Sequence, residues 1–147
     1  PDPARTSPPA QPFNGQLGDA IRLTGFEVNP PSPDSPDTVE LALYWQSTQK
    51  IPADYTVFTQ LIGPDGQVWA QWDNPPQSGR YPTSAWEAAD RVVDRYTLAL
   101  RPGAPPGEYR LLVGMYDPAT GRRLPATLNG APQPDNALPV ATVQVNP

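Results

Sequence analysis

The stretch Ala104-Pro-Pro-Gly-Glu-Tyr-Arg-Leu-Leu-Val-Gly-Met-Tyr-Asp-Pro-Ala-Thr-Gly121 decides how the whole chain is read. Pro105 and Pro106 fix φ and lack N–H donors, so they belong to a stiff turn and not to a central strand. Gly107 releases the chain into a strand. Tyr109, Leu111, Val113 and Met115 then fall on one face at period two. Asp117-Pro-Ala-Thr-Gly121 ends it with turn chemistry. Turn, alternating strand, turn is one beat of an antiparallel sandwich. Tyr109, opening its strand just after the glycine, is expected to pack in the core with its hydroxyl tied to backbone, as a tyrosine corner.

The same beat repeats in both directions. Most of the 23 prolines gather at 1–12, 30–36, 75–82, 102–106 and 132–139, leaving apolar segments of strand length between them. Strands are predicted over about Ala20–Asn29, Thr38–Ser47, Tyr55–Ile62, Gln67–Asp73, Val92–Leu100, Glu108–Tyr116 and Leu138–Val145, and a short piece near Arg122–Leu124 is expected to pair locally. Ile21 and Leu23 alternate, but Phe26 and Val28 continue on the other parity, so a β-bulge is expected at Gly25. Val39, Leu41, Leu43 and Trp45 face one way, and Tyr96, Leu98 and Leu100 point inward. Gly63-Pro-Asp-Gly66 makes a tight hairpin, and no helix is required beyond one turn near Ser84–Ala89. The fold class is all-β, an immunoglobulin/fibronectin-III-like antiparallel β-sandwich of about seven or eight strands. Residues 1–15 read as a Pro-rich linker leaning to polyproline II, and 16–147 as one sandwich domain.

Composition narrows the function classes. A chain of 147 residues buries enough surface to fold without staples, and it has no cysteine. A net charge of −5, with nine scattered arginines and one lysine, argues against a nucleic-acid partner. No apolar run approaches the roughly 20 residues of a membrane span. Without histidine or cysteine the usual triads and thiol nucleophiles are excluded, and zinc loses its two commonest ligands. Lys50 beside Ile51-Pro52 reads as a solvated loop lysine and not as half of a Ser–Lys dyad. Glu40, Glu87, Glu108, Asp90 and Asp94 could supply a carboxylate pair for glycoside hydrolysis, but most read as solvent-facing. Asp34, Asp37, Asp65, Asp73 and Asp117 lie in loops without the spacing of a calcium loop. No cofactor or metal is expected, and the fragment is read as non-enzymatic.

A carbohydrate surface carries more weight. Sugars stack on aromatic rings while acids, amides and guanidinium groups bind their hydroxyls. Val68-Trp-Ala-Gln-Trp-Asp-Asn74, with Gln77, Arg80, Tyr81 and Trp86 downstream, holds three of the four tryptophans beside such groups. The candidate glycan-binding residues are Trp69, Trp72, Asp73, Asn74, Arg80, Tyr81 and Trp86. Trp69 and Trp72 differ in parity, so a regular strand cannot turn both into the core. The competing reading is structural, with Trp72 plugging the sandwich and Trp86 capping its end.

The ordered series Tyr55-Thr-Val-Phe58, Leu61-Ile-Gly-Pro-Asp-Gly66, Tyr81-Pro-Thr-Ser-Ala-Trp86, Val93-Asp-Arg-Tyr96, Pro105-Pro-Gly-Glu-Tyr109 and Gly114-Met-Tyr-Asp-Pro-Ala-Thr-Gly-Arg-Arg-Leu-Pro125 resembles a bacterial β-sandwich domain. That domain lies at the extracytoplasmic C-terminal end of multi-pass glycosyltransferase-like membrane proteins of the dolichyl-phosphate-mannose mannosyltransferase type. The resemblance spans about residues 17–125, and Glu87-Ala-Ala-Asp90 stands where the family carries Pro-Gly-Glu. It implies a non-catalytic accessory domain, tethered outside the membrane, acting in positioning, partner contact or glycan engagement. Its partners would be a glycan or the membrane-embedded part of the same polypeptide. The alternatives are a free-standing carbohydrate-binding module using exposed aromatics and, further off, a carboxylate-pair glycoside hydrolase.

Overall fold

The structure, a computed structural model, describes residues 11–31 and 36–146. Ten strands run in chain order: β1 (Gln11–Leu17), β2 (Ile21–Asn29), β3 (Thr38–Ser47), β4 (Thr56–Ile62), β5 (Val68–Asn74), β6 (Arg91–Ala99), β7 (Gly107–Tyr116), β8 (Ala126–Leu128), β9 (Ala131–Pro132) and β10 (Leu138–Val145). They form a six-stranded sheet, β6-β3-β2-β1-β8-β9, packed on a four-stranded sheet, β10-β7-β4-β5, with every pairing antiparallel. The sandwich read from the alternating strands is the fold.

Tyr109, Leu111, Val113 and Met115 of β7 meet Val39, Leu41, Leu43 and Trp45 of β3 in one buried core. Each such side chain contributes about 1.5–3 kcal/mol by leaving water. The Tyr109 hydroxyl donates to the Pro105 carbonyl at 2.6 Å, which ties the turn to the strand as expected. The register of β2 on β3 shifts between Leu23 and Gly25, placing the bulge where the parity slips. The Gly63–Gly66 hairpin closes with Gly66 N–H on the Gly63 carbonyl at 2.9 Å, and Gly66 takes the left-handed φ of 82° that this turn demands.

Three sequence expectations change. Residues 11–15, assigned to the linker, are strand, while residues 1–10 lie outside the described set. Pro12 is tolerated because β8 reaches only Gly15–Leu17, so β1 is an edge where the proline sits. The short piece at Arg122–Leu124 does pair locally as expected, through an isolated bridge from Arg123 to Tyr116, ahead of β8 at Ala126. With β1, β8 and β9 added, the count rises to ten. The single helical turn expected near 84–89 is a short 3-10 turn at Thr83–Ala85, preceded by another at Pro76–Gly79.

The two outer faces differ. On the four-stranded sheet Phe58 is only 2% exposed, lying over Gly114 and under the Arg123 guanidinium, which stands 4.1 Å from its ring centroid. A Cβ at Gly114 would fall 2.4 Å from Phe58 Cζ, so only glycine admits the ring there. On the six-stranded sheet the outward positions of β3 and β6 are mostly polar, with Ala42, Val93 and Ala99 among them.

Candidate functional site

The residues singled out in the sequence fall at three places. Trp69 lies at the hairpin end of β5. Its indole N–H donates to both Asp65 carboxylate oxygens, at 3.0 and 3.1 Å. The Arg101 guanidinium stacks 4.9 Å from the ring centroid, and the ring edge lies against Gly63. This bond is the main reason Asp65 has a lowered pKa. Trp69 is thus already engaged by the protein.

Trp86 is 0% exposed, so it is withdrawn as a surface platform. Its N–H donates to the Tyr81 carbonyl at 2.8 Å, and the two rings pack 6.3 Å apart. The Tyr81 hydroxyl donates to Asp90 in a short bond, which raises the tyrosine pKa and lowers that of the aspartate. Glu87 N–H adds a second bond to Asp90 at 2.9 Å, and Glu87 pairs with Lys50 at 3.7 Å. Tyr81 and Trp86 therefore anchor the β5–β6 connection, the structural role weighed against sugar binding.

Trp72 is different. It is 41% exposed, the large apolar side chain left in solvent among the described residues. It pairs with Thr59 on β4, so its side chain leaves β5 toward the inter-sheet side, at the open flank between edge strands β5 and β6. There it meets Tyr96 edge-on, with ring centroids 5.9 Å apart. The expected plug is a half-open cover. Asp73 follows on the opposite face and accepts from the Tyr116 hydroxyl at 3.0 Å. Asn74 donates to Ser78 Oγ at 3.0 Å, and Arg80 is exposed on the same loop. Trp72 and the Asn74–Ser78 pair thus belong to the end of β5 and the loop after it, with Asp73 turned to the outer face, while Trp69 and Trp86 are held by partners of their own.

Beneath Trp72 lies a group read as solvent-facing. Asp94 is 2% exposed and points inward. It accepts from Gln77 N–H at 2.9 Å and from the Tyr96 hydroxyl at 2.6 Å. Burial raises its pKa above the ordinary carboxylate value, and these two bonds offset part of the rise. The nearby Trp45 N–H also favours the carboxylate slightly, yet it is buried with no oxygen at bonding distance. Burial and the Asp94 charge push the Tyr96 phenol up as well. Gln77 Nε2 adds a bond to the Val93 carbonyl at 2.9 Å. Gln77 and Ser78 hold left-handed φ of 53° and 57°, costing roughly 1–2 kcal/mol each, and Asp94 helps to pin them. The signal was in β6: Asp94 shares the parity of Tyr96 and Leu98.

The remaining carboxylates are dispersed. Glu40 and Glu108 are exposed on separate sheets, and Glu87 and Asp90 belong to the Tyr81 cluster. Of the aspartates expected in loops, Asp65 serves Trp69, Asp73 lies in β5 and serves Tyr116, and Asp117 closes its own turn on Ala119 N–H at 2.8 Å. Asp34 lies outside the described residues. Among the described residues no group of three acidic, histidine or cysteine side chains is placed to hold a metal. No described helix is long and apolar enough to cross a membrane.

No protein-family model matches the chain, and no curated protein matches it. Chicken MD-1 complexed with lipid IVa overlays 78% of this chain and 94% of its own at 10% identity, with a TM-score of 0.39, too weak a likeness to carry weight. The crystal structure of the C-terminal domain of Wzt overlays 99% of this chain and 86% of its own at 13% identity, with a TM-score of 0.60. This chain shares the β-sandwich architecture of that domain.

Proposed function

We propose that this chain is a non-catalytic accessory domain that engages a glycan through Trp72, outside the membrane, in a glycosyltransferase-like membrane protein. The observation that carries the reading is the exposed Trp72 ring at the end of β5, followed in the chain by the Asn74–Ser78 pair and the exposed Arg80. Its apolar face suits the C–H face of a sugar, and the neighbouring groups suit its hydroxyls. The extracytoplasmic setting and the membrane-embedded partner rest on the motif series from Tyr55 to Pro125. The non-catalytic reading is supported by Asp94, whose oxygens are occupied by Gln77 and Tyr96 and which is buried beside Tyr96.

A carbohydrate-binding module acting without a membrane partner would use the same ring, and the sequence of the parent gene separates the two: upstream membrane spans favour the accessory domain. The glycan claim is tested on a glycan array with wild type, Trp72→Ala and Trp69→Ala. Binding should fall at least about tenfold, some 1.4 kcal/mol, in Trp72→Ala. Trp69→Ala should retain it. Equal binding by wild type and Trp72→Ala, or none by any protein, overturns the reading.

A further inference from the structure

The outer face of the six-stranded sheet holds a depression of about 130 Å³ that the Trp72 flank does not share. Its floor is Ala42, on β3, which pairs with Glu27 on β2 and Arg95 on β6. The two flanking residues therefore stand about 10 Å apart, twice the strand spacing. Ala42 points outward yet is only 4% exposed. Glu40 and Asn29, paired with each other on the next row, complete the rim.

We propose that this cradle is a second glycan subsite, taking one neutral sugar ring over Ala42 between Glu27 and Arg95. The inference shares its ligand class with the reading above but none of its residues.

The acceptors are set in advance. Glu27 accepts from the Tyr44 hydroxyl at 2.7 Å, and Glu40 accepts from Thr97 Oγ1 at 3.1 Å. The Arg95 side chain forms no ion pair or hydrogen bond with another described residue, so its forked donors can serve a ligand. A sugar hydroxyl both donates and accepts. A rim that alternates carboxylate with guanidinium and amide answers both needs. Two carboxylates against one guanidinium leave the cradle negative, which disfavours uronate or phosphate. On the opposite outer face, the equivalent space is filled by Phe58 under Arg123.

The test is ¹⁵N–¹H NMR titration of the whole chain with neutral mannose, galactose and glucose tetrasaccharides, and with a uronate tetrasaccharide as counter-probe. A neutral tetrasaccharide should shift the amides of Glu27, Ala42 and Arg95. Ala42→Gln, which fills the depression, should weaken that binding at least tenfold. Arg95→Ala, at an exposed site, should do the same and covers the case in which Ala42→Gln folds poorly. Trp72→Ala should leave these shifts in place. Shifts confined to the Trp72 flank, or a preference for the uronate, overturn the subsite while leaving the first reading standing. No shifts anywhere, with any probe, overturn both.

Discussion

Phe58 and Ala42 both point outward from the strand next to an edge, Phe58 on β4 beside β5 and Ala42 on β3 beside β6, and they leave the two outer faces with opposite characters. Phe58 buries itself over Gly114, roofed by Arg123, whose guanidinium also donates to the Asp135 carbonyl at 2.9 Å. That face is sealed by its own side chains and by the loops after β7. Ala42 fills nothing, and the Glu27, Tyr44, Glu40 and Thr97 side chains around it bond to one another across a shallow floor. The sealed face stabilises the domain; the face around Ala42 is the one proposed to meet a ligand. The Trp72 flank combines both characters, since its ring covers Tyr96 from one side and remains in water on the other.

Mutation should separate these roles sharply. The largest effect is expected at Phe58→Ala, at about 3–5 kcal/mol by chemical denaturation, because the cavity opens beneath Arg123. Gly114→Ala should cost about 1–3 kcal/mol, since the Phe58 ring must move aside for the new methyl. A loss below 0.5 kcal/mol in both would break the contrast between the faces. Tyr109→Phe should follow at about 1 kcal/mol, the worth of its bond to Pro105. Arg95→Ala should fall within about 0.5 kcal/mol, as befits an exposed side chain with no partner to lose.

Asp94 sharpens the picture beneath Trp72 through pH. Its pKa is raised above 3.8 by burial, so the folded chain holds this proton more tightly than the unfolded chain. The stability this contributes is complete below 3.8 and is lost as pH rises through the folded value. Asp94→Asn removes that slope. Denaturation midpoints of wild type should therefore fall relative to Asp94→Asn as pH rises across this window. Parallel curves for the two proteins would show that burial does not act on Asp94 as described.

The fold was legible because alternation and proline punctuation agree along most of the chain. The strand cores, the Gly25 bulge, the Gly63–Gly66 hairpin and the Tyr109 corner all follow from local pattern. β1 was hidden because Pro12 reads as linker, and only its position beyond the end of β8 makes the residue admissible. For the site, parity showed that Trp69 and Trp72 could not both enter the core, but not which stayed in water. That depended on Asp65 and Arg101, partners brought to Trp69 by the hairpin and by the chain after β6. Trp86 looked equally suitable until the loop folded it under Tyr81. Asp94 shares the inward parity of its strand and was misread because charge was weighed above period. The Ala42 cradle joins three strands distant in sequence, so no local pattern marks it.

The most direct measurement is tryptophan emission with acrylamide quenching, in wild type and Trp72→Phe, with and without the best array glycan. Trp45 and Trp86 are buried and should emit to the blue, whereas Trp72 should supply a red-shifted, readily quenched component. That component should vanish in Trp72→Phe and become shielded when the glycan binds. A glycan that binds while this emission and its quenching stay unchanged would contradict engagement through Trp72.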